Sequence, residues 1–258
     1  MGVSTVRNLQ REWARIHRLA AWTAFWLVGE ASTDDTIDAW HNLYPLPRNE
    51  MVSFLGRLRG SVSECVNHSS DDPLVRIVLA DAGDPPPMPE HPDAQTAIFN
   101  AGAGLIMSSG HPDSRVLVVP ARTDGAPRLT MTPIGAEAMG PPAMSIGEAD
   151  LALSEATRTA ASMVSSMHAG TPHLLDVRRR VGTVKDFYDV AEFPASFNVR
   201  AEKLASRADY LSAIVDTVRS IPTGTTWDTH ILPLLTVIRH ARTASMDYAV
   251  RELCREVK

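Results

Sequence analysis

The sequence predicts an α+β fold: a small, mostly antiparallel mixed sheet of about four strands flanked by helices, with a helical bundle built from both chain termini. Two patterns support this prediction. Apolar residues recur at helical spacing near both ends of the chain, and four short apolar runs separated by turn residues lie between them. A third observation is that 44% of the 258 residues are hydrophobic, which is enough to bury a substantial core.

The N-terminal region predicts three helices. The first covers residues 4–29 and has two apolar faces, so we expect packing neighbours on both sides of it. A short second helix is capped by Ser32 or Thr33, because a hydroxyl there can accept from the first free N–H groups. The third helix covers residues 49–66.

Four strands are predicted in the middle of the chain. They cover residues 74–80, 105–108, 115–120 and 128–132. A helix capped by Asp93 joins the first two, and turn sequences rich in Gly, Pro and Asp separate the others. The last three strands should therefore form an antiparallel meander. The helical connection allows the first strand to lie parallel to the second.

The strongest pattern in the chain covers residues 197–218. Apolar or small residues alternate there at steps of four and three, which places them on one stripe of a helix about 33 Å long. Charged residues fill the other positions: Arg200, Glu202, Lys203, Arg207, Asp209, Asp216 and Arg219. A helix with a Ser145–Glu148 capping box precedes it, with small residues suited to close approach to a sheet. A last helix covers residues 228–256.

The predicted elements fall into three segments. Residues 1–71 form the N-terminal helices, residues 72–169 form an α/β unit, and residues 170–258 form C-terminal helices that pack with the first segment. All three can also belong to one compact domain. We expect the helical ends to pack together and to carry the α/β unit between them.

Charge and composition limit the functional classes to which the protein can belong. The net charge is −5, whereas a protein that binds nucleic acid without sequence preference usually has a net positive charge. Nearly all positive charge is arginine, which is typical of a GC-rich genome and predicts a bacterial source. Cys65 and Cys254 have no metal-ligand spacing and are expected to be buried thiols of a cytoplasmic protein. The apolar run at residues 19–28 is too short to span a membrane, so we interpret it as part of a folded helix.

Two His-Pro-Asp turns contain candidate catalytic residues. His91 and Asp93 form the first turn, and His111 and Asp113 form the second. A histidine next to a carboxylate can act as an oriented base or bind a metal. Turn chemistry alone also predicts these residues, because proline presets a turn and Asp caps the element after it.

An acidic, proline-rich loop contains candidate metal ligands. Asp81 and Asp84 follow the first strand directly, and His91 ends the loop. Carboxylate oxygens beyond the carboxyl end of a strand can bind a divalent cation. No phosphate-binding loop, dinucleotide fingerprint or hydrolase nucleophile motif occurs, so no organic cofactor is predicted.

Two groups of residues are candidates for partner binding. Trp22 and Trp26 lie on the second apolar face of the first helix, where they fit a core or an interface. Arg178, Arg179 and Arg180 precede a cluster of aromatic residues, a mixture that can bind single-stranded nucleic acid. Acidic residues interleave with them, so a solvated helix face is the stronger interpretation and a nucleic-acid partner is disfavoured.

These observations favour a non-enzymatic protein that binds a protein partner or a second copy of itself through helical surfaces. The alternative is a metal-dependent hydrolase or small-molecule binder with its site at the loops after the strands. In that case Asp81, Asp84, His91 and His111 would hold the metal or act as base.

Overall fold

A computed structural model describes residues 3–62, 73–80, 91–109, 111, 113–123, 126–136, 144–167, 192–219 and 228–256. Within these residues the chain forms seven helices and a four-stranded antiparallel sheet, which confirms the α+β class. The helices are α1 (Val3–Leu27), α2 (Thr33–Leu43), α3 (Arg48–Ser61), α4 (Pro92–Ala101), α5 (Ile146–Met167), α6 (Val199–Arg219) and α7 (Asp228–Glu256). The strands are β1 (Val75–Leu79), β2 (Ala103–Ser108), β3 (Ser114–Thr123) and β4 (Ala126–Gly135).

The strands follow one another across the sheet in the order β1-β2-β3-β4, and every neighbouring pair is antiparallel. The parallel arrangement considered for the first two strands is therefore wrong. The backbone N–H of Ala80 donates to the carbonyl of Gly102 at 3.0 Å, so the end of β1 lies beside the start of β2. The connection through α4 brings the chain back to the same end of the sheet that it left, so the two strands must run in opposite directions.

Trp13 of α1 fixes this junction between the strands. Its indole Nε1 is 3.0 Å from the carbonyl oxygens of both Ala80 and Gly102, to which it donates. Gly102 ends α4 with φ +84°, and a Cβ at this position would lie 2.5 Å from Cδ1 of Leu9. The first helix therefore packs directly against the return of the chain into β2.

Gly102→Ala should destabilise the protein by about 2–3 kcal/mol, because the new methyl group combines left-handed backbone strain with a clash against Leu9. Gly29→Ala is the matched control: its φ is +88°, but no atom lies within 4 Å of the position that the added methyl group would take. We expect a loss of about 1 kcal/mol there from backbone strain alone. Urea unfolding of both variants measures the difference, and equal losses would contradict the contact with α1.

The helical bundle joins the two ends of the chain, as predicted. α1 contacts α6 and α7 as well as β1 and β2, and α6 is enclosed by α1, α5 and α7. The apolar stripe predicted for residues 197–218 is buried throughout. The charges at Asp209 and Asp216, which the pattern placed off that stripe, are buried as well. Because α6 has neighbours on several sides, its later half has no solvated face among the described residues.

α5 uses its small residues differently from the prediction. Ala149, Ala156 and Ala160 are buried, but the main contacts of α5 are with α6 and α7 rather than with the sheet. Small side chains allow close helix–helix approach for the same reason that they allow close helix–sheet approach. Cys254 of α7 is half-buried, and Cys65 lies outside the described residues.

The two faces of the sheet pack against different helices. One face joins the main core with α1, and the other packs Ile106, Leu117 and Val119 against Ala94 and Ile98 of α4. None of the described helices is long and apolar enough to cross a lipid bilayer.

Candidate functional site

The interior of the helical bundle contains two ion pairs that share one carboxylate. Nη2 of Arg18 in α1 is 2.8 Å from Oδ2 of Asp209 in α6, and Nη2 of Arg242 in α7 is 2.6 Å from Oδ1 of the same residue. All three side chains are buried. One aspartate therefore binds two guanidinium groups from two other helices.

A histidine and two serines complete this interior cluster, which we define as His17, Arg18, Asp209, Ser212, Arg242 and Ser245. Nη2 of Arg242 also lies 3.3 Å from Oγ of Ser212. Oγ of Ser245 donates to the carbonyl of Ala201 at 2.8 Å and lies 3.4 Å from Nε2 of His17. The hydroxyl hydrogen of Ser245 is donated to the carbonyl of Ala201, so Nε2 of His17 is the donor in its contact with Ser245. Nδ1 is then the acceptor nitrogen of the neutral ring.

An aromatic pair lies against the interior cluster. Phe193 stacks on Phe197 with ring centroids 4.4 Å apart, and its ring also contacts Arg18 at 5.0 Å and the edge of His17 at 5.2 Å. Phe193 is partly exposed, whereas His17 and Arg18 are buried. The ring of Phe193 therefore lies between part of the cluster and solvent.

The electrostatics of the cluster set the charge of each group. Burial, together with the positive charges of Arg242 and Arg18, holds the pKa of His17 well below its ordinary value. Burial alone would raise the pKa of Asp209, but Arg242 and Arg18 outweigh it and lower that pKa. At neutral pH the cluster therefore contains a neutral imidazole, an ionised carboxylate and two guanidinium groups.

Arg242 has donor capacity that the described residues do not use. Its side chain is 0% exposed, yet Nε and Nη1 have no hydrogen-bond partner among the described residues. Nδ1 of His17, the acceptor nitrogen of that ring, also has no hydrogen-bond partner among the described residues. Buried polar atoms are normally hydrogen-bonded, so these atoms are suited to bind a small polar group.

A third buried ion pair connects the bundle to the sheet. Nε of Arg76 in β1 is 3.6 Å from Oδ2 of Asp247 in α7, and both side chains are buried. α7 therefore carries charged contacts both to the sheet, through Asp247, and to the interior cluster, through Arg242.

On the outside of the bundle, the first turns of α5 and α6 form a groove of about 630 Å³. It is lined by Ile146, Asp150, Val199, Arg200, Glu202, Lys203, Leu204, Ser206 and Arg207. Arg207 is held by an ion pair with Asp150 and by Oγ of Ser154 at 2.6 Å. The lining combines an apolar floor with an excess of cations, although the whole chain carries a net charge of −5.

The predicted His-Pro-Asp turns are each bound within their own segment. His91, rather than Asp93, is the N-cap of α4, and its Nδ1 accepts from the backbone N–H of Ala94 at 3.3 Å. Asp93 is exposed in the first turn of α4. The backbone N–H of His111 donates to Oγ of Ser109 at 3.1 Å. These contacts are those of a helix cap and a tight turn.

The candidate metal ligands are only partly covered by the structure. Asp81 and Asp84 lie outside the described residues, and Asp113 is exposed just before β3. Among the described residues, no three His, Cys, Asp or Glu side chains are grouped closely enough to hold a metal ion. The hypothesis of a metal-dependent hydrolase at the acidic loop therefore stays a prediction.

The candidate partner-binding tryptophans are engaged within the chain. Nε1 of Trp22 donates to the carbonyl of Glu192 at 2.9 Å. Trp26 is buried, donates to Oγ1 of Thr33 at 3.0 Å, and lies under the guanidinium of Arg59. Arg178, Arg179 and Arg180 are outside the described residues.

Sequence reasoning missed the interior cluster, although a signal for it exists. Asp209, Ser212 and Asp216 recur in α6 at steps of three and four, and Arg239, Arg242 and Ser245 recur in α7 at steps of three. All six of these side chains are buried. Two successive helices with polar stripes of opposite charge are typical of a charged seam between them.

Comparison with known proteins places the chain in a family. No curated protein and no solved structure matches it significantly. Residues 17–145 match the model described as "Rv1486c-like protein, N-terminal domain", and residues 147–243 match the model described as "Rv1486c-like protein, C-terminal domain". The first match alone covers half of the chain, and the second begins where it ends. The chain therefore belongs to the family of Rv1486c-like proteins.

Proposed function

We propose that the chain is a non-enzymatic protein-binding module that offers the α5–α6 groove to an acidic segment of its partner. The observation that carries this proposal is the exposure of Val199, an apolar side chain in the groove that is 62% exposed; Leu151, which follows the groove-lining Asp150, is 60% exposed. An apolar centre with a polar and charged rim is the usual anatomy of a protein-interaction surface.

The charge of the groove indicates the kind of partner. Arg200, Lys203 and Arg207 outnumber Asp150 and Glu202 in the lining. Such a surface attracts an acidic segment and repels a basic one, which favours specificity and a high association rate.

The apolar stripe of α6 is buried inside the chain, and that of α1 is buried from Trp13 to Ala24, so these stripes do not support self-association. Self-association through those stripes would require the bundle to open. We therefore place the partner on the outer helical face and leave a second copy of the chain as one of the partners that the experiment can detect.

A photo-crosslinking amino acid at position 199 or 151, introduced in cells that naturally express the protein, tests this proposal. We expect the same protein adduct from both positions and none from position 52, where Val52 of α3 is 51% exposed but lies away from the groove. Lys203→Glu should reduce the adduct at least fivefold, since it reverses a charge in the groove. An adduct of twice the chain mass would identify a second copy as the partner. Absence of adducts, or equal adducts at position 52, would contradict the groove.

A further inference from the structure

We propose that the interior cluster is a binding site for a small oxyanion, a carboxylate or phosphate group, held by Arg242 and covered by Phe193. This proposal is independent of the groove, which lies on the outer surface and involves none of these residues. Three observations support it: the unused donors of a buried guanidinium, the division of Asp209 between two arginines, and the position of the aromatic cover.

The unpaired N–H groups of Arg242 are the main observation, because a buried donor without a hydrogen bond costs free energy. A guanidinium has five N–H groups in a plane, and a buried one is normally paired on most of them. Arg242 contacts Asp209 and Ser212 through Nη2, while Nε and Nη1 remain without partners among the described residues. A buried, uncompensated donor weakens the folded state, so a ligand that accepts from these atoms would stabilise it.

Asp209 cannot satisfy Arg242 by itself. Its Oδ2 is 2.8 Å from Nη2 of Arg18 and its Oδ1 is 2.6 Å from Nη2 of Arg242, so Arg242 meets the carboxylate through one nitrogen and one oxygen. A bidentate pair, the strongest arrangement of arginine with a carboxylate, is therefore not formed. A second oxyanion on Nε or Nη1 would supply the oxygen atoms that the shared carboxylate cannot provide.

Phe193 marks the route for entry. It is partly exposed and contacts Arg18 and His17, and the backbone just before it is held to α1 by the hydrogen bond from Trp22 to the carbonyl of Glu192. Phe193 is therefore a partly exposed neighbour of two buried members of the cluster, Arg18 and His17. Movement of this ring would admit an anion without opening the helical bundle.

The ligand class follows from the donors and acceptors. Arginine donates only, which selects an anion over a cation or a purely apolar ligand. Nδ1 of neutral His17 is an acceptor, so it would favour an oxyanion that also carries an O–H, such as hydrogen phosphate, over a simple carboxylate. Phosphate and acetate titrated separately distinguish these two sources of the same chemistry.

The experiment is thermal unfolding of the full chain in phosphate, in acetate and in chloride at equal ionic strength. We expect phosphate or acetate to raise the unfolding midpoint by about 5 °C when its concentration is a hundredfold above Kd. Arg242→Lys should abolish this rise, because lysine can keep the charge next to Asp209 but has no counterpart of Nε and Nη1. Arg48→Lys is the matched control at a surface ion pair outside the groove and should leave the rise unchanged.

Two results would overturn the proposal. One is an unfolding midpoint of the unmodified protein that is the same in phosphate, acetate and chloride. The other is an equal rise in Arg242→Lys and in the unmodified protein, which would indicate a general salt effect. If Arg242→Lys does not fold, the arginine Nε–H signals of the 15N-labelled unmodified protein decide: saturable movement of a slowly exchanging signal supports the site, and constant signals refute it. Phe193→Ala, which keeps every charge, should speed ligand release at least tenfold.

Discussion

Asp209→Asn should destabilise the folded protein by about 3–5 kcal/mol, the largest effect that we expect from a single substitution. Asparagine nearly preserves the volume of the side chain, so the loss does not come from a cavity. It comes from two buried guanidinium groups, those of Arg18 and Arg242, which would lose their shared countercharge. Removing one partner of a buried ion pair typically costs this much, because the remaining charge stays in a poorly solvated site.

Urea or guanidinium unfolding measures this loss, and the surface pair provides the comparison. Asp150→Asn removes the partner of Arg207 where both side chains are about half exposed, so the loss should stay below about 1 kcal/mol. A loss of that small size for Asp209→Asn would show that water reaches the interior cluster. Replacing Arg18, Asp209 and Arg242 together by apolar residues of similar volume should restore most of the stability.

Stability should fall as the pH drops below about 6.5, because His17 must remain neutral in the folded protein. Its folded pKa lies well below the unfolded value, so between the two pKa values the unfolded chain binds a proton that the folded chain does not. The free energy of unfolding should therefore decrease by up to about 1.4 kcal/mol per pH unit in this window. Above a pH of about 6.5 this contribution is fully present.

Asp209 contributes to the pH dependence of stability in a separate and more acidic pH range. Its pKa is lowered in the folded protein, so its stabilisation is present above the unfolded pKa, about 3.9, and is lost as the pH falls through the folded value. Unfolding at about pH 7.5 and about pH 5.0 therefore includes the contribution of His17 while that of Asp209 stays constant. His17→Gln should remove most of the difference in the free energy of unfolding between these two pH values. His111→Gln, a change at an exposed histidine, should leave that difference as it is. An unchanged difference in His17→Gln would refute the assignment.

The helices and strands were predictable where local patterns determine them. The steps of four and three place the stripe of α6 correctly, and the Ser145–Glu148 capping box forms at the start of α5. The direction of β1 was not predictable, because it depends on Trp13 and the backbone contact between Ala80 and Gly102, which are distant in sequence.

The polar stripes of α6 and α7 are a signal for the interior cluster, but which helices cover them was not predictable from the sequence, for a different physical reason. A charged residue off an apolar stripe usually faces solvent, and nothing local shows that another helix will cover it. Asp209 is buried only because α1 and α7 contribute Arg18 and Arg242 to the same place. Candidate residues chosen by motif, such as His91, instead perform the local role that turn chemistry already explained.

Two buried ion pairs join the N-terminal and C-terminal parts of the chain, and this has a consequence for dividing the molecule. A cut near residue 146, between the two matched family regions, would separate Arg18 and Arg76 from their partners Asp209 and Asp247. Each fragment would keep charges whose counterparts reside on the other, together with a large apolar surface. Co-expressed halves should therefore recombine into one native particle, which would make this junction suitable for a split-protein reporter.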